Sequence, residues 1–407
     1  MLIGIDDTDS PQGMCTTYLG AVLARRLIRE HLRVLEARLV RLNPNVTFKT
    51  RGNAAIAIAV DGDMSTAFKT ACATVEELSE FSCANTNPGV VVVDRPPDPA
   101  FYRKAVTDFC TIDEAAVILE SAGALYRGYK NRRGLIGATA AVACDFPDAT
   151  FEILTYRKQE QWGTPREVDR ASLFAAQRAT FPHTWDTVDE INDVVVCVPH
   201  TPDPVLFGIR GESPSWVMAA RQMIASEKPA LEQIWVTNQG TDAHILPGRI
   251  GELREGLSYR IHGTVADAPR TGRGGHVSFA IRDSGSTVRC MAYEPTKNFR
   301  QIVRQLVPGD TIIAAGSYKK GSLNLEKMKV VSLVTAKSVR PPVCTACNKR
   351  MASAGAGKGF KCKKCGAKAD EPDVKEIARA VEPGWYEVPP TARRHLAQPL
   401  CRGTPGC

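Results

Sequence analysis

Four cysteines near the end of the chain most strongly limit what this sequence can fold into. Cys344 and Cys347 form one Cys-x-x-Cys pair, and Cys362 and Cys365 form a second pair after 14 intervening residues. Each pair can present two thiolates on a tight turn, and two such pairs complete a tetrahedral site for Zn²⁺. A redox pair would normally occur once, near a βαβ unit. We therefore predict a Cys₄ zinc ribbon over residues 341–370, in which the metal supplies the folding energy that so small a module lacks.

Charge is divided unevenly along the 407 residues. Residues 1–257 hold 26 Lys and Arg against 33 Asp and Glu, whereas residues 258–407 hold 26 against 11. An acidic half joined to a basic half indicates that catalysis and the binding of a polyanion are separated. Lys361, Lys363 and Lys364 lie beside the cysteines. We expect the ribbon to bind a polyanion rather than to be a catalytic zinc site, because four thiolates leave no ligand position open.

Short strands dominate residues 257–336. Alternating apolar residues predict strands over 258–265, 276–283 and 287–293, a short helix over 299–306, and strands over 311–318 and 323–330. Three strands, a helix and two strands are the order of an OB-fold barrel. Such barrels bind single-stranded nucleic acid on a basic face that carries stacking aromatic rings. The predicted contacts with single-stranded nucleic acid here are Tyr293, Tyr318, Lys319 and Lys320, although a barrel that serves only as a spacer would show the same pattern.

The first residues combine a strand with an acidic turn. An apolar strand over residues 2–6 ends in a cluster of Asp6, Asp7 and Asp9, and a helix follows Gly13. Each ionised carboxylate raises the cost of ionising the next unless a cation lies among them, and Mg²⁺ prefers such hard oxygen ligands. Free N–H groups at a glycine turn and a helix N-terminus favour an anion. We interpret this segment as a nucleotide-phosphate and magnesium site; a solvated acidic turn is the alternative.

Helical and strand patterns alternate over the first 250 residues, which predicts a mixed sheet covered by helices. We expect helices over 15–30 and 65–81, and strands over 55–60, 90–93, 138–144, 150–154 and 194–198. Two glycine-containing loops, 134–137 and 208–211, are candidates for an approach to phosphate, although such loops are more often simple turns. The predicted domain ranges are 1–125, 126–250, 257–336, 341–370 and 371–407.

Several protein classes are disfavoured by composition. No apolar run reaches about 18 residues, so we expect no membrane span. An acidic N-terminal strand is unlike a secretion signal, and most cysteines are single residues in apolar contexts, so we expect a cytoplasmic protein. The sequence indicates no obligatory protein partner. In the tail, Arg393, Arg394 and nearby aromatic residues either clamp unpaired bases or dock on the barrel.

With these parts identified, the chain resembles the archaeal TiaS family of tRNA(Ile) 2-agmatinylcytidine synthetases almost from end to end. The matching segments are IGIDDTDSPQGMCTTYLG at 3–20, KTRGNAA at 49–55, NTNPGVVV at 85–92, RRGLIGATAAVA at 132–143, TYR at 155–157, WGTPREVD at 162–169, PHTPDPVLFGIRG at 199–211, WVTNQGTDAH at 235–244 and PPTARRHLAQPL at 389–400. The segments around the acidic turn and at 235–244 are too unusual for coincidence.

The resemblance implies a specific reaction and architecture. Family enzymes use ATP to join agmatine to carbon-2 of the wobble cytidine of the isoleucine tRNA with a CAU anticodon, so that the tRNA reads AUA. They cleave ATP to AMP, phosphorylate the cytidine carbonyl and let the agmatine amine displace the phosphate. The implied fold is multidomain α+β: a kinase-like αβ catalytic domain, a ferredoxin-like domain, an OB-fold barrel and a zinc ribbon. A threonine that becomes phosphorylated in the family corresponds to Thr16.

Further site residues are predicted on that chemistry. Asp6, Asp7 and Asp9 would carry Mg²⁺ beside ATP. Candidates for phosphate and nucleotide binding are Gly13, Lys130, Arg132, Arg133, Gly134 and Arg210. Candidates for contact with the dicationic agmatine or its reacting amine are Asp203, Glu212, Asp242, His200 and His244. Two alternatives stay open: an ATP-dependent RNA kinase or a ligase that uses another amine such as lysine, and a single-strand nucleic-acid-binding protein without catalysis.

Overall fold

The computed structural model describes residues 1–49 and 52–404. Two residues of the KTRGNAA segment and the last three residues of the predicted tail therefore lie outside the described residues. The first part of the chain contains β1 (Leu2–Asp6), α1 (Thr16–Arg29), β2 (Arg33–Arg41), β3 (Ala54–Asp61), α2 (Met64–Leu78), β4 (Gly89–Val93), α3 (Ala100–Thr107), α4 (Ile112–Ser121), β5 (Leu125–Gly128) and α5 (Gly134–Val142). The next part contains β6 (Thr150–Tyr156), α6 (Arg170–Thr180), β7 (Thr184–Trp185), β8 (Val188–Asp189), β9 (Val194–Val195), β10 (Val205–Gly211), α7 (Pro214–Met223) and β11 (Leu231–Thr237).

Both parts contribute to one nine-stranded sheet. Its order is β5-β4-β1-β3-β2-β11-β6-β10-β7. The two parts join where β2 and β11 run parallel, with Val236 opposite Arg38 and Thr237 opposite Leu39. The neighbouring pairs β2–β3 and β6–β11 are antiparallel. The sheet is therefore mixed and continuous, as the alternating pattern predicts.

The strand register brings one end of β1, β2, β11 and β10 to the same edge of the sheet. Ile5 pairs with Ile56 at the start of β3, and Arg41 pairs with Ala54 at that same start. On the other side of the join, Arg210 near the end of β10 pairs with Glu152 near the start of β6. Polar residues that follow or end these strands therefore meet along one edge.

Helices cover both faces of the first part of the sheet. Ile3 and Ile5 of β1 pack with α1 and α2 on one face, while Leu2 packs with α5 on the other, as the period of two in a strand requires. Gly4 faces α5 at very close range, because a Cβ there would lie 2.3 Å from the carbonyl oxygen of Ala138.

Residues 138–144, expected to form a strand, instead belong mainly to helix α5. A short apolar run does not distinguish a buried strand from a buried helix by its period. The run is rich in alanine, which has the highest helix propensity. Small side chains also let this helix lie directly against β1. The glycine loops predicted at 134–137 and 208–211 likewise fall within α5 and β10.

The third part is a closed five-strand barrel. It contains β12 (Ile245–Pro247), β13 (Ser258–Val265), β14 (Arg270–Thr271), β15 (Val277–Asp283), β16 (Ser286–Ala292), α8 (Phe299–Val303), β17 (Thr311–Lys319) and β18 (Ser322–Ser332). The pairs β13–β17, β17–β18, β18–β16, β16–β15 and β15–β13 close the ring. The predicted order of three strands, a helix and two strands is confirmed.

The remaining elements are short: β19 (Lys337–Arg340), β20 (Ala352–Ser353), β21 (Phe360–Lys361), β22 (Lys368–Ala369), β23 (Asp373–Glu376) and β24 (Gly384–Glu387). Strands β20, β21 and β22 form a small sheet beside the four cysteines, and β19 pairs with β23. The tail docks on the barrel, because β24 pairs antiparallel with β18. Within residues 1–49 and 52–404, no helix combines the length and the apolarity needed to cross a bilayer.

Candidate active site at the edge of the shared sheet

A cavity of about 520 Å³ opens at the sheet edge where the polar strand ends meet. Its lining comes from the turn after β1, the N-terminus of α1, the β2–β3 connection, and strands β6 and β10 of the second part. One residue of the C-terminal tail, His395, also lines it. Predicted site residues that the structure brings together here are Asp6, Asp7, Asp9, Thr16, Arg133, Asp203 and Arg210.

The acidic turn is held tightly against α5. Gly137 of α5 makes room for the carboxylate of Asp6, since a Cβ at Gly137 would lie 2.0 Å from Asp6 Oδ2. Asp7 has a φ of 60°, a left-handed conformation that is uncommon outside glycine. Its Oδ2 accepts hydrogen bonds from Arg133 Nε at 3.1 Å and Nη2 at 2.8 Å. Strained backbone of this kind is typical of functional turns.

Electrostatics in this turn favour a bound cation. Burial, together with the charges of Asp7 and Asp9, raises the pKa of Asp6 well above its usual range. Burial also raises the pKa of Asp7, and Arg133 partly opposes that rise. A divalent cation among these oxygens would remove the penalty on ionisation. The donor set therefore fits Mg²⁺.

The N-terminus of α1 opens into the same cavity. Cys15 precedes the helix in an extended conformation, its Sγ lies 3.1 Å from Thr17 Oγ1, and the first helical turn contains no acidic residue. Thr16 and Thr17 line the cavity, and Thr16 Oγ1 accepts a hydrogen bond of 3.0 Å from Thr8 Oγ1. The helix dipole and the backbone N–H groups of a first turn suit a phosphate.

Arg210 organises the opposite end of the cavity. Its Nε lies 3.2 Å from Glu152 Oε1, its Nη1 lies 3.6 Å from Asp186 Oδ2, and its Nη2 lies 2.5 Å from His395 Nδ1. His395 is exposed at the cavity surface, where desolvation of its ring and the nearby charges of Arg41, Arg210 and Lys49 lower its pKa below the usual range. The neutral imidazole of His395 therefore lies near the positively charged side chains of Arg41, Arg210 and Lys49 at this end of the cavity.

Four residues predicted to bind phosphate lie outside the cavity lining. Lys130 donates through Nζ to the carbonyl oxygens of Phe81 and Cys83, and Arg132 is exposed. The N–H of Gly134 donates to the Asn87 carbonyl. Gly13 closes a turn with Ser10, to whose carbonyl its N–H donates at 3.3 Å.

Most residues predicted to contact agmatine are also placed elsewhere. Only Asp203 of the five lines the cavity. Glu212 pairs with Arg402 at 2.7 Å, and Asp242 pairs with Lys327 at 2.6 Å. His244 is fully buried and lies 3.0 Å from Glu326 Oε2, whereas His200 is exposed. Glu212, Asp242 and His244 thus join parts of the chain to one another.

The predicted RNA contacts fall into two groups. Lys319, Lys320, Lys361, Lys363 and Lys364 are exposed, Tyr293 is 39% exposed, and Tyr318 is half-buried against the barrel core. In the tail, Arg393 is largely buried between Asp186 and Glu387, and Arg394 bonds to Asn45 and Glu326. The tail arginines therefore contribute to docking.

The four cysteines converge as their spacing predicts. Their sulfur atoms all lie within 4.8 Å of one another. Backbone N–H groups of Cys365 and Lys364 lower the pKa of Cys362, which favours the thiolate that zinc requires, whereas the neighbouring thiols raise the pKa of Cys347. The set fits a structural Zn²⁺ with four sulfur ligands.

Comparison with known proteins agrees with this geometry. Three domain profiles match: the TiaS TCKD domain over residues 2–131, the TiaS FLD domain over 132–244, and the TiaS C-terminal zinc ribbon domain over 341–381. The isoleucine-tRNA 2-agmatinylcytidine synthetase TiaS of Methanocorpusculum labreanum is 54% identical over 99% of this chain and 97% of its own length. That of Methanosarcina mazei is 49% identical over the same shares.

The chain belongs to the TiaS family. The resemblance noted in the sequence is therefore confirmed, as are its multidomain α+β fold and its zinc ribbon. A crystal structure of TiaS in complex with its isoleucine tRNA and ATP superposes with a TM-score of 0.91 at 42% identity, covering 99% of this chain and 97% of that one. A TiaS complex with the same kind of tRNA, AMPCPP and agmatine superposes with a TM-score of 0.88 at 39% identity, covering 98% and 96%.

Glu152, Asp186 and His395 are among the cavity residues that the sequence-based reasoning did not identify. Glu152 lies within a strand and Asp186 follows a two-residue strand, so neither stands in a recognisable motif. The glutamate within the apolar run 150–156 was a usable signal, because a charge on a buried strand usually has a partner. His395 follows two arginines, and no local pattern reveals that its side chain enters a distant cavity.

Proposed function

We propose that this protein uses ATP to join agmatine to carbon-2 of the wobble cytidine of the CAU-anticodon isoleucine tRNA. Relatives that match nearly the whole chain carry this activity in their name, and solved relatives hold an isoleucine tRNA with ATP, or with an ATP analogue and agmatine. The observation that carries the proposal is the cavity itself. It joins clustered carboxylates, a helix N-terminus with a threonine, and a cationic end in one space beside a basic half of the chain.

The reaction needs activation of a poor leaving group. The oxygen on carbon-2 of cytosine leaves only after phosphorylation, so ATP, base and amine must be held together. Asp6, Asp7 and Asp9 would hold Mg²⁺, which when bound neutralises charge on the phosphates. Arg133 is not a free phosphate clamp, since Asp7 and the Asn85 carbonyl already accept from it. It fixes the orientation of Asp7.

Thr16 is the proposed site of protein phosphorylation. Its hydroxyl lines the cavity at the first residue of α1, where the helix dipole stabilises added negative charge. The hydrogen bond from Thr8 restricts the orientation of that hydroxyl.

For agmatine we keep Asp203 and add Glu152 and Asp186 as candidates. All three residues line the cavity and each already pairs with an arginine, so the guanidinium of agmatine would share their carboxylates with it. Leu154 and Val205 supply apolar walls that suit the four-carbon chain of agmatine.

We also propose a fold type for each of the first three parts of the chain. The order β6-α6-β7-β10-α7-β11 is the β-α-β-β-α-β order of a ferredoxin-like unit, which supports that assignment for the second part. We assign the first part as kinase-like and the barrel as an OB-fold. We propose that the exposed lysines of the barrel and the ribbon, with Tyr293 and Tyr318, lie on the surface that contacts tRNA. We also propose that the protein is cytoplasmic.

An amine panel tests the proposal against its nearest alternative. The protein would be incubated with ATP, Mg²⁺ and a CAU-anticodon transcript, with agmatine or lysine as radiolabelled amine. We expect incorporation of agmatine alone and AMP formation that depends on the transcript. Uptake of lysine instead would reject the substrate assignment, and tRNA binding without any ATP turnover would favour a non-catalytic binding protein.

A further inference from the structure

The C-terminal tail crosses from the barrel to the sheet edge as a strap, which we define as residues 388–402. Ion pairs fix it on both sides of its middle. Arg393 pairs with Asp186, and Arg402 pairs with Glu212 at 2.7 Å. The backbone is held too, because the carbonyl of His395 accepts from the N–H of Gly240 at 2.8 Å.

At the middle of the strap, His395 extends into the cavity. Its Nδ1 lies 2.5 Å from Nη2 of Arg210, and Arg210 is itself fixed by Glu152 at 3.2 Å. A guanidinium can only donate, so Nδ1 must accept. A neutral imidazole that accepts at Nδ1 carries its proton on Nε2. The pKa of His395 lies well below its usual range, which favours this neutral form. His395 is therefore a hydrogen-bond donor at Nε2 rather than a general base.

Cationic side chains lie near this donor, in addition to the two carboxylates that pair with Arg210. Arg41 and Lys49 line the same part of the cavity and contribute to the low pKa of His395. Burial lowers the pKa of Lys49, and the charges of Arg394 and Lys319 lower it further. Cationic side chains that lie close together raise the free-energy cost of one another's charge. A bound anion such as phosphate lowers that cost.

The residues of this cationic group differ from those of the acidic turn. Arg210 belongs to β10, and four strands of the sheet lie between β10 and β1, whereas Arg41 ends β2, which only β3 separates from β1. Lys319 of barrel strand β17 lies near enough for its charge to lower the pKa of Lys49. A phosphate here would be held by groups other than the acidic turn and the α1 N-terminus.

We propose that the strap completes the active site, and that His395, with Arg41 and Lys49, forms a second subsite for a phosphate group of a substrate. The inference rests on the proposed function, whose two phosphate-bearing substrates are the tRNA backbone and ATP. In either case His395 donates through Nε2 to a phosphate oxygen. A substrate phosphate would thereby be bound by a residue from the far end of the chain.

The test compares His395→Asn, His395→Gln and Lys49→Gln with the control His31→Asn. Asn places its amide near the former Nδ1 and loses the donor, whereas Gln places an amide N–H near the former Nε2. His31 is exposed and has a φ of 63°, a conformation that Asn tolerates. Equilibrium dissociation constants for a non-hydrolysable ATP analogue and for the CAU transcript would be measured at several salt concentrations, after thermal melting shows that each variant is folded.

Loss of one hydrogen bond to a charged phosphate is expected to weaken binding about tenfold or more. If the phosphate belongs to tRNA, His395→Asn and Lys49→Gln weaken transcript binding only, Lys49→Gln lowers the salt slope by about 0.7, and His395→Gln retains part of the affinity. If it belongs to ATP, the analogue alone binds more weakly. Normal affinity for both ligands in folded His395→Asn and Lys49→Gln would overturn the subsite. These measurements need no turnover, so failure of wild-type protein to modify the transcript would reject the proposed function separately.

Discussion

Glu326 is a buried charge on the barrel that contacts both the segment after β11 and the strap. It lies on β18 and is 5% exposed. Its carboxylate lies 3.0 Å from His244 Nε2 and 3.4 Å from Arg394 Nε, and it accepts from Ser317 Oγ at 3.3 Å. Burial alone would raise the pKa of Glu326, but His244, Arg394 and Lys327 outweigh burial and lower it to about 2.

The lowered pKa of Glu326 determines how much this carboxylate stabilises the folded protein and over which pH range it does so. The difference between about 2 and the usual 4.5 corresponds to about 3 kcal/mol of stability at neutral pH. Because the pKa is lowered in the folded protein, this contribution is fully present above about 4.5. It is lost as the pH falls through about 2. Removing one partner of a buried ion pair costs about 3–5 kcal/mol, which is the same order.

We therefore expect Glu326→Gln to lower the opening free energy of β17, β18 and β24 by about 3 kcal/mol at pH 7. Native-state hydrogen exchange is the suitable assay, because a multidomain chain does not unfold in one step. The exposed Glu252→Gln is the matched control and should change protection by less than about 0.5 kcal/mol. Unchanged protection in Glu326→Gln at pH 7, or an equal loss at pH 7 and near pH 2, would refute this reasoning.

Three further substitutions test the cavity and the ribbon. Asp7→Asn should reduce ATP cleavage at least about a hundredfold while tRNA affinity stays near normal; weaker tRNA binding with normal turnover would contradict the assignment. Thr16→Ala should abolish phosphorylation of the protein by labelled ATP, whereas Thr17→Ala should retain it, and a labelled Thr16→Ala protein would show that the site lies elsewhere. Cys362→Ser should release zinc, measured by elemental analysis, and weaken tRNA binding most at low salt, because fewer phosphate contacts give a shallower salt dependence; unchanged zinc content would refute the ribbon as the metal site.

Sequence patterns correctly predicted the strands and helices in which apolar residues recur with a clear period. The barrel strands match within two residues at their ends, because alternating apolar residues mark a half-buried strand clearly. Helix α1 likewise matches within one residue at each end. The strand expected over 138–144 was wrong because a short apolar run has no period that distinguishes a buried strand from a buried helix, and its alanines favour the helix.

Some residues of the candidate site could be predicted from the sequence and others could not. The acidic turn, α1 and the cysteine pairs were identified because their residues are adjacent in sequence. Glu152, Asp186 and His395 were not, because the sheet register and buried ion pairs bring them to the cavity from distant parts of the chain. Isolated acidic residues such as Asp242 and Glu212 were chosen by chemistry alone, and their cationic partners Lys327 and Arg402 had no signature in the sequence.

The most direct measurement is mass spectrometry of the wobble nucleoside after reaction. The wild-type protein would be incubated with ATP, Mg²⁺, agmatine and the CAU-anticodon isoleucine transcript, beside a transcript whose wobble cytidine is replaced by uridine. We predict that the cytidine gains the mass of agmatine less one water only when ATP and agmatine are both present, and that the uridine transcript is unchanged. An unmodified cytidine in the complete reaction, or a phosphorylated cytidine that never acquires agmatine, would contradict the central claim.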